Sequence, residues 1–402
     1  MAWICCQIGA REHYAIPRAL HQAGQLATLI TDSWLPVRSP LRLLPRSLST
    51  GLPDRFHPDL AHAPVQAFTL PGLFFELNQR LHRRSPWDRM MQRNQWFQAN
   101  AIDHLRSLSF SPQNPPILFT YSYAARDLLT FARERGWKTV LGQIDPGPEE
   151  DAIVQQVCAR YPHLSLPHQS PPPIYWEQWR EECELADRIV VNSSWSAQLL
   201  QQAGIPESKL SIIPLVYESD PEARHYQRVY PTRFSTDRPL RVLFLGQVNL
   251  RKGIGEILDA IELLDHEPIE WWVVGPIQIR IPDRFQSHPK IRWLGAVPRS
   301  QVKQYYQQAD IFLLPTHSDG FALTQLEAQA WQLPLITSGN CASVVQDQVT
   351  GLKLPSVTGL NIAKAVQTCL QIPNFLQALS DCNRRSQCQS TLSFTLVSLV
   401  EG

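Results

Sequence analysis

The chain has 402 residues, 44% hydrophobic and 18% charged, with 37 basic against 36 acidic side chains and a net charge of +1. That length holds two domains with ample cores, and the balanced charge excludes the dominant basic excess of a nucleic-acid-binding protein. No apolar run approaches the length that crosses a bilayer and the start has no signal-peptide pattern, so a cytoplasmic protein is expected.

The first strand is predicted over Ala2–Ile8, with Gly9-Ala-Arg-Glu-His13 at its carboxyl end, and the second over Leu26–Thr31. Leu35 to Phe97 then breaks the pattern. Arg38, Arg42, Arg46, Arg55, Arg80, Arg83, Arg84, Arg89 and Arg93 are interleaved there with Phe68, Phe74, Phe75, Trp87, Trp96 and Phe97. The segment is too hydrophobic for disorder and reads as an excursion (35–97) between the second and third strands. Two roles fit it: a covering subdomain with core aromatics and solvated arginines, or a surface that meets anionic lipid headgroups. Strands follow at Ile117–Thr120, Thr139–Gln143, Arg188–Val191 and Ser211–Ile213. Helices are predicted over Ala124–Arg135 and Ser194–Ala203, the latter with Asn192, Ser193 or Ser194 as N-cap and Gly204 as its stop. Residues 1–218 thus form a doubly wound domain. The polar residues 219–239, punctuated by Pro221, Pro231 and Pro239, are the expected linker.

From residue 240 the alternation is cleaner. Apolar strands at Val242–Leu245, Trp271–Val274, Ile291–Leu294, Ile311–Leu314 and Leu335–Thr337 are separated by amphipathic segments such as Gly255–Leu264 and Gln301–Ala309. Near-continuous apolar strands between such helices predict a parallel sheet covered on both faces, with ligands at the carboxyl strand ends. This second domain is expected over 240–375, with a helical tail over 376–402. The cysteines, at 5, 6, 158, 183, 341, 369, 382 and 388, form no C-x-x-C pair. Their spacing fits neither a zinc site nor a disulfide framework, and reduced, buried thiols are expected.

The most informative stretch is Asp319-Gly-Phe-Ala-Leu-Thr-Gln-Leu-Glu327, which follows the strand at 311–314. Leu323, Leu326 and Ala330 recur at helical spacing, so a helix is expected to open near Leu323. Glu327 would lean back toward the helix mouth, with Asp319 in the loop outside it and the amides of Ala322 and Leu323 between them. Amides suit a diphosphate and flanking carboxylates suit hydroxyls. Arg251-Lys252-Gly253 lies between another strand end and a helix start, where parallel α/β sheets bind phosphates. The first domain offers Gly9, whose backbone permits close approach, and His13, Tyr121 and Asp145 as cleft candidates. No Asp-x-Asp pair suggests a metal.

At these residues the chain resembles the family 4 retaining glycosyltransferases of GT-B fold (glycosyl transferases group 1). The likeness runs from about Leu240 to Pro355 through Gly246, Arg251-Lys-Gly253, Val273-Val-Gly275, Ile291-Arg-Trp-Leu-Gly295, the acidic pair, Leu333-Pro334 and Thr350-Gly351. Where the family carries Glu, Arg and Gly, this chain has Asp319, Gln247 and Ala322. The resemblance implies two Rossmann-like domains facing a cleft and retaining transfer of a sugar from a nucleotide diphosphate sugar to a saccharide or lipid-linked acceptor. It places Glu327 on the ribose, Asp319 on the sugar, and Lys252 and Arg251 on the diphosphate. Gly246, Gln247, Gly320, Phe321, Ala322, Leu323 and Val297 complete the donor site. It implies no cofactor and no metal, no nucleic-acid partner, a role in surface polysaccharide or glycolipid synthesis, and a peripheral place at the cytoplasmic membrane face. A degenerate sugar-nucleotide-binding protein and a nucleotide-sugar epimerase are the competing readings.

Overall fold

The computed structural model describes residues 2–37, 39, 55–81, 84–167 and 170–387. Arg38, Arg42, Arg46, Arg83 and Cys388 lie outside the described residues.

The N-terminal half runs β1 (Trp3–Gln7), α1 (Ala15–Gln22), β2 (Leu26–Thr31), β3 (Val65–Ala67), α2 (Thr69–Leu81), α3 (Pro86–Ser107), β4 (Ile117–Tyr121), α4 (Arg126–Glu134), β5 (Lys138–Gly142), α5 (Pro148–Arg160), α6 (Pro173–Leu185), β6 (Arg188–Val191), α7 (Ser194–Gln202) and β7 (Leu210–Ile212). Its strands pair in the order β3-β2-β1-β4-β5-β6-β7, all parallel. The C-terminal half runs β8 (Leu240–Leu245), α8 (Ile254–Leu263), β9 (Ile269–Val274), α9 (Asp283–Gln286), β10 (Ile291–Gly295), α10 (Arg299–Gln308), β11 (Ile311–Leu314), α11 (Thr324–Ala330), β12 (Leu335–Thr337), β13 (Gly351–Lys353), α12 (Gly359–Gln371) and α13 (Pro373–Gln387). Its order is β10-β9-β8-β11-β12-β13, again all parallel.

Period-two alternation builds a core on each face of each sheet. In β1, Ile4 and Cys6 pack on one side, Trp3 and Cys5 on the other. In β9, Trp271 and Val273 oppose Trp272 and Val274. Each buried aliphatic side chain among these, such as Ile4 or Val273, is worth about 1.5–3 kcal/mol. Ser193 caps α7 by accepting the Ser196 N–H, and Gly204 follows that helix at φ +91°.

The end of helix α5 and the turn after it belong to the N-terminal sequence but pack on the other domain. Val157, Tyr161 and Leu164 lie in the same core as Val242, Phe244 and Ile257. Tyr161 donates to Asp259 at 2.6 Å and lies over Gly255, where a Cβ would come within 2.8 Å of its ring. Residues 219–239 also pack on the C-terminal domain. The buried Arg228 guanidinium donates to the carbonyls of Tyr306 (2.6 Å) and Trp331 (3.1 Å), and Arg238 chelates Asp310. The tail is helical as far as it is described, and Leu376 sits in the C-terminal core. The excursion supplies β3, α2 and α3, with Phe97 and Ala101 buried against β1 and β4 neighbours such as Ile4 and Leu118.

Candidate active site in the interdomain cleft

The Arg251-Lys252-Gly253 turn is fixed by its own chemistry. Asn249 accepts the Lys252 N–H through its side chain, closing a short 3₁₀ turn over Leu250–Lys252. Gly253 has φ +78°, and a Cβ there would lie 2.0 Å from the Pro315 carbonyl oxygen. Only glycine lets this turn seat against the end of β11. The seating brings Lys252 onto Asp319, and the two side chains form an ion pair. Burial first, then the Arg251 charge, pulls the Lys252 ammonium down to about 7; the touching Asp319 carboxylate acts in the opposite sense. Arg251 donates to the Ser318 carbonyl at 2.9 Å and stands 3.4 Å from the Glu150 carboxylate.

The Ser318–Gly320 turn is clasped by the N-terminal domain. Ser318 donates to Glu150 (2.8 Å) and accepts from the Trp195 indole (3.1 Å), and Ser193 donates to the Gly320 carbonyl. A Cβ at Gly320 would meet Asn192 and the Ile144 carbonyl at 3.0 Å, so this glycine permits the approach. Helix α11 opens at Thr324 without a side-chain cap, with Asp319 engaged by Lys252 instead. Ala322 has φ +63°, a left-handed backbone, and Phe321 is buried. On α11, Glu327 accepts a 2.8 Å hydrogen bond from the buried Tyr306 hydroxyl, which fixes its carboxylate. Gly246 follows β8, and its carbonyl lies where a Cβ on Gly275 would clash. Gln247 is exposed beside Asn249, and Val297 packs half-buried after β10.

On the N-terminal side, Gly9 (φ +86°) donates to Asp32 at 2.8 Å, and a Cβ there would strike Arg55. Tyr121 and Asp145 line a cavity of about 530 Å³ at the carboxyl ends of β1, β4 and β5. Asp145 accepts from the Tyr123 hydroxyl (2.5 Å) and the Gly147 N–H (2.9 Å). The Tyr121 hydroxyl donates to Glu12 at 3.2 Å. Burial raises the Glu12 carboxyl to about 7, against that hydrogen bond and the Arg11 charge. His13 stands apart from this cavity and meets Arg299 of the other domain, Nε2 to Nη1, at 2.8 Å. A smaller cavity of about 30 Å³ joins Glu12, Tyr121 and Gln143 to Leu323, so donor-side and acceptor-side candidates share one cleft.

Glu12, Arg11, Glu150, Trp195, Tyr306 and Tyr123 were absent from the sequence-derived site. Arg11 and Glu12 stand in the same strand-end stretch as His13, which is the only signal that marked them. Glu12, His13, Tyr14, Tyr123 and Ala322 adopt left-handed backbone at the cleft, as do Gln332 and Gln348 away from the residues described above. Among the described residues no group of His, Cys, Asp or Glu is placed to hold a metal.

Residues 239–371, the body of the C-terminal domain, match the family model described as Glycosyl transferases group 1. The chain is 24% identical over 183 residues to the amylovoran biosynthesis glycosyltransferase AmsK of Erwinia amylovora, covering 42% of this chain and 43% of that one. It is 22% identical over 201 residues to the N,N'-diacetylbacillosaminyl-diphospho-undecaprenol alpha-1,3-N-acetylgalactosaminyltransferase of Campylobacter jejuni, covering 46% and 50%. The chain thus spans about half the length of these relatives. It matches the solved Anabaena Alr3699/HepE, crystallised with UDP-glucose, at a TM-score of 0.60 and 12% identity over 96% of this chain and 94% of that one. The fold is therefore GT-B: two Rossmann-like domains facing a cleft.

Proposed function

We propose that this protein is a retaining glycosyltransferase. It moves a sugar from a nucleotide diphosphate sugar to a saccharide or lipid-linked acceptor in the synthesis of a surface polysaccharide or glycolipid. The observation that carries the reading is the seating of Lys252 and Arg251 against the Asp319–Gly320 turn, at adjoining strand ends inside the cleft. Cations aimed at a leaving diphosphate stabilise the charge that builds as the glycosidic bond breaks.

In this reading Glu327, steadied by Tyr306, accepts the ribose hydroxyls. Asp319 accepts the hydroxyls of the donor sugar once the diphosphate has taken its place on Lys252. Gly246, Gln247 and Val297 border the nucleotide, and Gly320 to Leu323 border the sugar and diphosphate. The anomeric C–O bond to the diphosphate breaks, the acceptor oxygen bonds the same face of that carbon, and the acceptor proton leaves with the nucleoside diphosphate. The chain's own cations carry the electrostatic load, so no metal is required. The acceptor occupies the N-terminal cavity beside Tyr121 and Asp145.

A cytoplasmic, peripheral seat on a membrane is part of the proposal. Leu70, Phe74, Leu77 and Leu81 of α2 recur on one helix face and are 57, 71, 49 and 82% exposed. The stretch 69–93 carries five arginines against Glu76 and Asp88. That combination suits the interface of an anionic bilayer. No helix among the described residues is long and apolar enough to cross a membrane.

The test is incubation of the full chain with UDP-, GDP- and ADP-sugars in EDTA, following release of nucleoside diphosphate. Slow hydrolysis of one donor class, sparing the others, is expected. No release from any of them, with or without metal, would leave only a degenerate binding protein.

A further inference from the structure

The N-terminal cavity has an unbalanced wall. Its charged lining consists of Arg11 from the turn after β1, Arg89 and Arg93 from α3, Glu76 from α2 and Asp145 after β5. Both carboxylates are already engaged. Glu76 lies 3.5 Å from Arg93, and Asp145 takes the Tyr123 hydroxyl, the Gly147 N–H and the Gln143 amide. Arg93 is engaged as well, reaching the buried Asp32 at 2.7 Å. Arg11 and Arg89 remain, and neither forms an ion pair among the described residues.

We propose that this cavity is an anion subsite in which Arg11 and Arg89 take a phosphate or diphosphate group carried by the acceptor. The inference rests on the acceptor role given to this domain. Guanidinium forks bind phosphate oxygens in pairs, and such charge-assisted bonds are about twice as strong as neutral ones. About 530 Å³ is enough for a phosphorylated sugar. Both arginines are exposed and Arg11 acts on Glu12, so a neutral saccharide would leave their forks to water, whereas a phosphate engages them directly.

The subsite is made where the 35–97 excursion meets the first sheet. Helix α3 swings Arg89 and Arg93 over the carboxyl end of the sheet. Asp32, at the end of β2, anchors Arg93 and also holds the Gly9 N–H. Arg11 follows two residues after Gly9. One carboxylate therefore fixes both elements that carry the unpaired arginines.

The same chemistry could come from a soluble phosphosugar or from a lipid-linked diphosphate. The experiment is calorimetric titration of the full chain with glucose 1-phosphate and with farnesyl diphosphate, each with UDP saturating the donor site. Both should bind, and Arg11→Ala/Arg89→Ala should weaken each by about a hundredfold, roughly tenfold per charge-assisted contact. UDP affinity and the melting temperature should be unchanged in that variant. Tighter binding of farnesyl diphosphate assigns the lipid source, and equal binding assigns the soluble one. Phosphate esters that bind the variant as well as wild type, or that bind neither, overturn the proposal. If UDP itself does not bind, the titrations run without it. Loss of phosphate binding in the arginine variant then keeps the anion subsite while the donor reading fails.

Discussion

Lys252 and Asp319 form an ion pair at the mouth of the C-terminal sheet, tying the turn after β8 to the turn after β11, with side chains 12% and 15% exposed. In the proposed reaction a diphosphate entering this site would meet a lysine whose counterion is already in place, exchange one anion for another on Lys252 and free Asp319 for the sugar. Such an exchange would avoid the cost of an isolated buried charge.

Lys252→Ala is expected to cost on the order of 3 kcal/mol in kcat/KM, the scale of a charge aimed at a leaving group, and Arg251→Ala less. Arg251 shares its guanidinium with Ser318 and Glu150, so less of it is available to the donor. Thermal melts of each variant separate lost chemistry from the destabilisation caused by an unpaired Asp319. Near-wild-type turnover in the double alanine variant would remove the assignment.

Glu12 should make stability depend on pH. Its carboxyl is raised by burial from 4.5 to about 7. Between those values the folded state binds more protons than the unfolded state. The contribution of Glu12 is therefore fully present below that window and is lost as pH rises through 7. Glu12→Gln should flatten this dependence and stabilise the protein by about 1–3 kcal/mol at pH 8 relative to wild type. Urea melts at pH 5 and pH 8 measure it, and identical slopes for both proteins would contradict the burial of this carboxyl.

Ala322→Gly should stabilise the fold by up to about 1 kcal/mol, because a Cβ at φ +63° is strained, less the entropy glycine adds to the unfolded chain. Chemical denaturation reads the change. A clear loss of stability would show that the Ala322 side chain packs better than its backbone suggests.

The α2 stripe should carry vesicle binding. Wild type should float with anionic liposomes at low salt, stay behind with neutral ones, and be released by added salt. Phe74→Ser/Leu77→Ser should abolish flotation without altering the melt. Equal absence of wild type from both fractions would make the excursion a scaffold only.

Much of this site could be read in advance, for local reasons. Gly253 and the Arg251-Lys252 pair punctuate a strand-to-helix turn, and such turns are set by their own residues. The Asp319 and Glu327 spacing likewise follows from one loop and one helix. His13 was harder. Three consecutive left-handed residues, Glu12 to Tyr14, turn it toward Arg299, and no sequence signal announces that conformation. Val157, Tyr161 and Leu164 were not singled out in the sequence, and no local pattern says that they meet the core of the other domain. The arginines of the excursion looked alike in sequence. Only the fold separates Arg93, drawn inward by Asp32, from exposed neighbours such as Arg84.

In the proposed function the C-terminal half of the cleft holds a nucleoside diphosphate through Glu327 and the Lys252 turn. Calorimetric titration of UDP, GDP and ADP into wild type and Glu327→Ala tests it most directly. One nucleotide should bind wild type, with its affinity falling at least about tenfold in the variant through loss of a charged hydrogen-bond acceptor. Equal affinity in the two proteins, or no binding of any nucleotide to wild type, would contradict it.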